Sequence, residues 1–452
     1  MLNWIWLSFL VVSVLVAGFT GKLPELTTGA FDAAQGAVMT IALPLMGIWA
    51  IWLGMMRLAE QSGLVQLLAR ALRPVMRRLF PDVPGDHPAM GAMVLNMAAN
   101  MLGLGNAATP LGLRAMAHLE RLNPSPGVAS NAMCTFLAIN TASIQLIPTS
   151  AISILAINHS TNATAIVPTA FLATCCAATA GVMSAKFLER LPMFRVAPAT
   201  SEVAAGATIA EPVVGDLVEA EKVEVRPISR WGKAALALFF CAFAVLLAIL
   251  VCPEAIHGLG FPTPPAPPTL ADKTLVVRTL FSIAILAVPF LLSFFPLYAA
   301  ARGVRVYEQF VEGAKEAFDT AKRVIPFLVA MLVSIRMLRD SGVLKMLQDW
   351  LQPFFNLVGF PADLLPMVLM RPLSGSATNG IFVELVQRLG PDTLTSRIAA
   401  TIFGSTETTF YVIAVYFGAV AVRQTRHAIA AGLIADFTAV VASVFFCRLL
   451  FG

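Results

Sequence analysis

The run Ser405-Thr406-Glu407-Thr408-Thr409 interrupts a hydrophobic stretch, 396–420, that otherwise reads as a membrane span. A carboxylate at bilayer depth costs about 3 kcal/mol or more unless it is paired or hydrated. Glu407 is therefore a candidate to accept a coupling proton, bind a cation or hydrogen-bond a polar solute. The competing reading makes it a structural partner for Arg371 or Arg397. A second polar cluster, Asn131 and then Asn140, Thr141, Ser143 and Gln145, sits in the apolar run 131–157. Asp436 raises the same question in the last apolar run, with fewer polar residues around it.

Each cluster follows a segment in which small residues break a hydrophobic helix. In the first, Asn96 and Asn100 stand four apart on one helical face. Gly103, Gly105 and Asn106 then interrupt the helix, and Thr109-Pro110 reads as an N-cap with proline in the first turn. The second segment carries Arg371-Pro372, then Ser374, Ser376, Thr378, Asn379 and Glu384. A broken helix presents unpaired N–H groups and a positive dipole end, which suits an anionic or carbonyl-bearing ligand. Arg371 could clamp a carboxylate or phosphate, or lie at the interface and snorkel to headgroups. The asparagines and glycines also have a plain structural reading, as interhelical hydrogen bonds and close packing.

The elements that must position these residues are membrane helices. Of 452 residues, 58% are hydrophobic and 13% charged, too apolar for an ordinary soluble protein. Apolar runs at about 4–20, 41–58, 131–157, 165–187, 234–252, 276–300, 324–340, 396–420 and 428–450 approach or exceed the roughly 20 residues a crossing needs. The run from Trp4 to Phe19 lacks a basic region before it and reads as a retained first helix. The polar stretch 190–230 is a flexible linker by composition, and Phe261 to Pro268 is a shorter, proline-rich loop. These divide the chain into an N-terminal membrane half, 1–189, the linker, 190–230, and a C-terminal half, 231–452.

The halves read alike. Leu43-Pro44, an apolar span, Ser62-Gly63-Leu64, an amphipathic helix with Pro74 and Phe80-Pro81 precede the first break. Ile325-Pro326, an apolar span, Ser341-Gly342-Val343, an amphipathic helix with Pro353 and Phe360-Pro361 precede the second. Their basic residues fall oppositely. Arg57, Arg70, Arg73, Arg77 and Arg78 follow the first span, whereas Arg336, Arg339 and Lys345 are diluted by Asp340 and Asp349. Lys22 stands alone before the first repeat, but Arg302, Arg305, Lys315, Lys322 and Arg323 precede the second. Asn158 to Thr164 has no Lys or Arg, while Arg423 and Arg426 mark the matching loop. Cytoplasmic loops keep the excess of Lys and Arg. The expectation is an all-α polytopic membrane protein of two inverted-topology repeats, each with a re-entrant broken hairpin. Residues 88–122 start and finish on the cytoplasmic side and 363–392 on the external side. The N-terminus is cytoplasmic and the C-terminus external. Paired broken segments are also a pointer to a transport site.

Composition excludes other classes. The net charge of +5 is spread between spans, without the aromatic-interleaved basic patch of a nucleic-acid binder. The six cysteines have no metal-ligand spacing and read as apolar packing. Gly-x-Ser-x-Gly, His-Glu-x-x-His and a P-loop are absent, and no His is placed to activate Ser405. His118, His159 and His427 lie near span ends and read as interfacial. No catalytic residue, metal or cofactor is expected; the partners are membrane lipid and a small-molecule or ion substrate, with homo-oligomerisation left open.

The stretch Asn96-Met-Ala-Ala-Asn100-Met-Leu-Gly-Leu-Gly105-Asn-Ala-Ala-Thr-Pro110 resembles the signature region of spore maturation protein A. Arg371-Pro-Leu-Ser-Gly-Ser376, with Gly404-Ser-Thr-Glu-Thr-Thr409, resembles spore maturation protein B. The resemblance covers roughly 1–190 and 275–452. It implies a fusion of the two, in the nucleoside-recognition or "gate" group also found in nucleoside permeases and in ferrous-iron transport protein B. It further implies a bacterial inner-membrane protein. The expected function is that of a secondary transporter or channel-like permease for a small polar or anionic solute, bound between the repeats by Asn96, Asn100, Asn106, Thr109, Asn140, Thr141, Ser143, Gln145, Arg371, Ser374, Ser376, Thr378, Asn379, Ser405, Thr406, Glu407 and Thr408. The alternatives are a membrane scaffold or regulator of envelope or spore assembly, and a lipid-handling protein.

Overall fold

The computed structural model describes residues 2–103, 105–194, 227–253, 274–346, 349–350 and 359–452. Most of the expected linker, the proline-rich loop at 261–268 and the stretch around Pro353 lie outside them. Within the described residues the chain is helical throughout, apart from turns and a single bridge between Val128 and Gln424. Helices satisfy their own backbone groups, which a segment in lipid must do. Six are long and apolar enough to cross a bilayer.

The long helices form the frame. After α1 (Leu2–Thr20), α2 (Leu23–Gly36) runs through a wider π-helical turn at Ala37–Ala42 into α3 (Leu43–Gln61). The expected span 41–58 is thus the end of a 39-residue helix, Leu23–Gln61. Further on come α9 (Val167–Leu188), α10 (Arg230–Val251), α11 (Leu275–Ala301), α12 (Val306–Asp340) and α17 (Ala428–Phe451). The expected span 324–340 is the last half of α12. Lys315, Lys322 and Arg323, counted above as loop charges, lie on that helix. Helix α12 packs along α3, and α17 along α9. The first pair crosses on facing glycines: a Cβ on Gly54 would stand 2.6 Å from the Phe310 ring, and one on Gly313 2.7 Å from the Leu53 carbonyl. Small residues at a crossing allow backbones to approach in lipid. Helices α10 and α11 turn most of their surface outward, with Trp231, Leu238 and Val276 exposed.

Short helices fill the frame, and each expected break is real in the chain's geometry. The first hairpin is α5 (Pro88–Met101) and α6 (Gly105–Arg121), following the amphipathic α4 (Leu64–Leu79). The second is α13 (Leu365–Met370) and α14 (Gly375–Leu389). Helix α6 begins at Gly105, five residues before the start that an N-cap at Thr109 implies, so Thr109-Pro110 lies inside it rather than capping it. Pro110 stands in the second turn and lacks the N–H that would bond one turn back, a cost that a helix interior carries. The two polar runs read as continuous spans are themselves split. Residues 131–157 form α7 (Asn131–Ala142) and α8 (Thr149–Ile157), and 396–420 form α15 (Leu394–Ser405) and α16 (Thr409–Ala419). Ser143, in left-handed backbone at φ 39°, ends the first, and extended backbone from Thr406 ends the second.

The ends of the split spans fix their direction. Before α7, the Gly127 carbonyl accepts from Arg423 N–H at 2.9 Å, and Ala129 N–H donates to the Gln424 carbonyl at 2.9 Å. Arg426 joins the same end: its guanidinium donates to Phe194 O at 2.6 Å, Ala129 O at 2.9 Å and Asn131 Oδ1 at 2.8 Å. Beyond α8, Ser160 and Thr161 donate to the Asp392 carboxylate, just before α15, at 2.7 and 2.9 Å. Helices α7 and α8 therefore run away from the end where α16 finishes, towards the end where α15 begins. The two split spans are antiparallel.

Candidate functional site

Four helix interruptions converge between the ends just described. Leu146 N–H donates to the Met101 carbonyl at 3.0 Å, tying the first split span to the tip of the first hairpin. Phe410 N–H donates to the Pro372 carbonyl at 3.0 Å and ties the second split span to the second hairpin. Glu407 N–H then donates to the Thr141 carbonyl at 2.7 Å, joining the two splits. These bonds satisfy backbone groups that a broken helix would leave bare in lipid.

In the first half the side chains form a neutral amide network. Asn100 Nδ2 donates to Asn140 Oδ1 at 2.9 Å, and Asn140 Nδ2 donates back to the Phe136 carbonyl at 2.9 Å. Asn96 Nδ2 donates to the Ala108 carbonyl at 2.7 Å, holding α5 on α6. Tyr416 of α16 completes it, within 3.4 Å of Asn96 Nδ2 and 3.5 Å of Asn140 Oδ1, stacked on Phe136. Gln145 Nε2 donates to Ser143 Oγ at 3.3 Å. The carbonyls that end α7 are met from α9, where Thr174 Oγ1 donates to Ala142 O at 2.7 Å and Ser143 O at 3.2 Å. Asn106 lies in the first turn of α6 and Thr109 is half-buried in the second.

The second half uses charge at the same place. Arg371 is 5% exposed, and its guanidinium caps the end of α15. Nε donates to Thr406 Oγ1 at 3.0 Å, and Nη2 donates to the carbonyls of Phe403, at 2.8 Å, and Thr406. The group also lies over the Phe403 ring, 4.8 Å from its centroid. A cation at a helix C-terminus meets the negative dipole end. Arg371 thus neither snorkels nor presents these donors to a ligand. Glu384, also in this segment, pairs with Arg339 and, at 3.3 Å, with Arg388.

The remaining expected residues surround this cap. Ser374 caps α14 by accepting from Ala377 N–H at 3.2 Å, its Oγ is 3.4 Å from that of Ser376, and Thr378 donates to the Ser374 carbonyl at 2.7 Å. Asn379 is half-buried, with Oδ1 unpartnered. Ser405 donates to Ile402 O at 3.3 Å. Thr408 is buried against the second hairpin, where a Cβ on Gly375 would stand 2.9 Å from its Oγ1. Glu407 is half-buried, and its carboxylate forms no ion pair with Arg371 or Arg397.

Three participants were underweighted or missed by sequence reading. Asp436 accepts from Thr409 Oγ1 at 2.6 Å and is 5% exposed. Tyr416 lies seven residues beyond Thr409 on the same buried stripe of α16, a spacing that could have drawn attention to it. Thr174 has no such signal. His427 is fully buried rather than interfacial, against the Phe194 ring, and both ring nitrogens lack partners. Burial, then Arg426 and Lys186, push it down to about 4.

Two cavities lie beside the junction. One of about 510 Å³ opens at the Gly127–Gln424 end and is lined by Asn123, Ser130, Asn131, Glu189 and Arg426. The other, about 540 Å³, is apolar and runs from Met101 and Leu146 to Phe240 and Phe290 on α10 and α11. Neither is lined by Glu407, Arg371 or Asn140. Among the described residues no three His, Cys, Asp or Glu side chains gather as metal ligands would.

The family model described as Gate, nucleoside recognition, matches residues 42–187 and 321–423, so that each half carries a match. Spore maturation protein A of Bacillus subtilis is 45% identical over 174 residues, 38% of this chain and 88% of the relative. Spore maturation protein B of the same organism is 42% identical over 170 residues, 38% of this chain and 96% of the relative. A solved structure, the YdaH transporter of Alcanivorax borkumensis, aligns over 99% of this chain and 96% of its own, at 14% identity and a TM-score of 0.41.

Proposed function

Because the chain belongs to the Gate family of nucleoside-recognition domains, we propose that this multi-pass membrane protein is a secondary transporter for a small polar solute. The observation that carries the reading is the convergence of four helix interruptions, bonded tip to tip at Met101–Leu146, Pro372–Phe410 and Thr141–Glu407. Irregular backbone at membrane depth is tolerated where it is covered by protein or lines a path, and paired broken segments are where transporters bind their cargo. The halves, 1–189 and 231–452, are read as inverted repeats. The antiparallel split spans support this, as does the gathering of loops 127, 194 and 424 at one end and 160 and 392 at the other. The first end is taken as cytoplasmic and the membrane as the bacterial inner membrane.

Solute would be held by amide and hydroxyl groups of Asn100, Asn140, Thr408 and Asn379, with Glu407 as the ionisable group. An anionic solute is the weaker choice, because the Arg371 cap leaves Nε and Nη2 occupied. No catalytic step belongs to the reading. Nucleosides head the panel of trial solutes on the strength of the family's description. The test is uptake of nucleosides, amino acids and other small polar solutes into proteoliposomes under imposed ion gradients. Uptake by the native chain that is lost in Glu407→Gln supports transport. No uptake of any solute, or uptake unchanged in Glu407→Gln, removes the mechanism.

A second reading has an observation of its own. The junction is packed shut, with Asn140, Thr141, Ser143, Thr406 and Thr408 all at most 3% exposed. A scaffold or regulator, in keeping with the names of the Bacillus relatives, would keep it shut. Solvent access to a cysteine placed at Thr408, appearing only with a trial solute, separates a gate from a scaffold.

A further inference from the structure

Helix α4 has both of its ends at one end of the bundle. It leaves α3 through a sharp turn at Gly63, in left-handed backbone at φ 77°. The end of α3 meets the start of α12, where Arg57 Nε donates to Gln309 Oε1 at 3.4 Å. Helix α12 follows the finish of α11 directly, through a turn that Val304 N–H closes on the Ala299 carbonyl at 3.0 Å. Helix α11 starts at the far end, where the Phe281 ring lies edge-on to Phe451, the last residue of α17. Its 27 residues therefore bring Ala301 to the Gly127–Gln424 end. The other end of α4 reaches the same place, because Asp82 and Val83 line the polar cavity with Asn123, Ser130 and Arg426. A 16-residue helix is about 24 Å long. One that starts and finishes at the same end of a membrane bundle runs across that end, not through the bilayer.

The two faces of α4 differ in kind. Val65, Ala69 and Met76 are buried, and the helix packs on α5. The outward face carries Leu67, Ala71 and Val75 at helical spacing, with Leu67 46% and Val75 52% exposed. The helix holds four arginines and no acidic residue. Arg73 and Arg77 share one carboxylate, that of Asp86, each at 3.2 Å. Arg70 and Arg78 are exposed and form no hydrogen bond or ion pair among the described residues. Each stands three residues from an end of the apolar stripe, on Leu67 and Val75 respectively, so charge and stripe face outward together. We propose that α4 lies in the headgroup layer at this end of the bundle and binds anionic phospholipid. Leu67, Ala71 and Val75 enter the acyl boundary, and Arg70 and Arg78 hold the lipid phosphate. A basic helix with an apolar stripe settles at that depth, where anionic lipid attracts it and a guanidinium matches phosphate geometry. The uncompensated positive charge selects a net-negative headgroup over a zwitterionic one. Through α5, the bound lipid steadies the first hairpin from outside the bundle.

This binding does not depend on whether the chain transports. The test is the thermal midpoint of the purified full chain in uncharged detergent, titrated with phosphatidylglycerol, phosphatidylcholine or water-soluble glycerol phosphate. A ligand that binds only the folded state raises stability with the logarithm of its concentration once above its dissociation constant. Phosphatidylglycerol should give a saturable rise and the other two none. Arg70→Gln and Arg78→Gln should each need about fivefold more phosphatidylglycerol. Arg305→Gln, which removes the same charge from the same end outside α4, should leave the titration unchanged. An equal response to both lipids, a response to glycerol phosphate, or an equal loss in Arg305→Gln overturns the site. A spin label on Ala71→Cys, with the native cysteines replaced and the chain in phosphatidylglycerol vesicles, gives an independent answer. It should be relaxed by oxygen dissolved in lipid and shielded from an aqueous nickel chelate. Relaxation mainly by the chelate would put α4 in water, and shielding from both would assign the face to a protein partner; either result overturns the proposal.

Discussion

The two split spans end their first helices in opposite chemical styles. In the first half, a neutral hydroxyl from α9, Thr174, meets the last carbonyls of α7. In the second, the guanidinium of Arg371 meets the last carbonyls of α15. Both satisfy orphan carbonyls, but only the second carries charge into the bundle and keeps Glu407 and Asp436 company there. The difference teaches that capping alone does not require charge. The neutral half closes the same kind of break with amides and hydroxyls alone.

The largest expected effect breaks that comparison directly. Arg371→Met strips the cap from α15 and leaves the Phe403 and Thr406 carbonyls without their charged donor, a loss of about 3 kcal/mol or more. Thr174→Val, on the neutral side, should cost about 1 kcal/mol. Thermal midpoints and the yield of monodisperse protein measure both. Equal losses would mean that the two caps do the same work.

The two ends of the bundle offer a second contrast, in pH. His427 is buried uncharged and sits near 4, below the ordinary imidazole value of about 6.5. Below that ordinary value the unfolded chain binds a proton that the folded chain refuses, so stability falls as pH drops from about 6.5 to 4. At the other end, burial pushes Asp392 up, but donors from Thr161 and Ser160 and the Arg397 charge hold it below the usual carboxylate value. Its contribution is present above about pH 3.9 and is lost only below that. The thermal midpoint should therefore fall between pH 6.5 and 4 in the native chain and stay flatter there in His427→Phe. An unchanged slope would remove His427 as the source.

The smallest effect sharpens the neutral side. A double-mutant cycle on Asn100→Ala and Asn140→Ala should return a coupling of about 0.6 kcal/mol, the average for hydrogen bonds between membrane helices. A coupling near zero would return these asparagines to candidate solute ligands with no structural duty.

Much of this arrangement was legible in the residues. The glycine and serine breaks at 103–105 and 374–376 were visible because a small-residue run punctuates an apolar helix. The splits at 143–148 and 406–408 were not, because Ile144, Leu146 and Ile147 keep the run apolar while Ser143 leaves the helix through a backbone angle that composition does not encode. Glu407 stood out as a lone carboxylate. The cap formed by Arg371 did not, since its acceptors are backbone carbonyls some thirty residues away. Tyr416 becomes a partner only through packing between halves, and Thr174 through packing of α9 on α7, long-range contacts that periodicity cannot report.

The central claim is that the split spans cross in opposite directions, and side-specific cysteine labelling tests it most directly. In a chain with its six native cysteines replaced, single cysteines would be placed at the exposed positions Pro126, Gln424, Thr161 and Gln387. With a membrane-impermeant maleimide, the account predicts that 161 and 387 react in intact cells and that 126 and 424 react only once the cytoplasmic face is opened. Reaction of all four from the same side would contradict it.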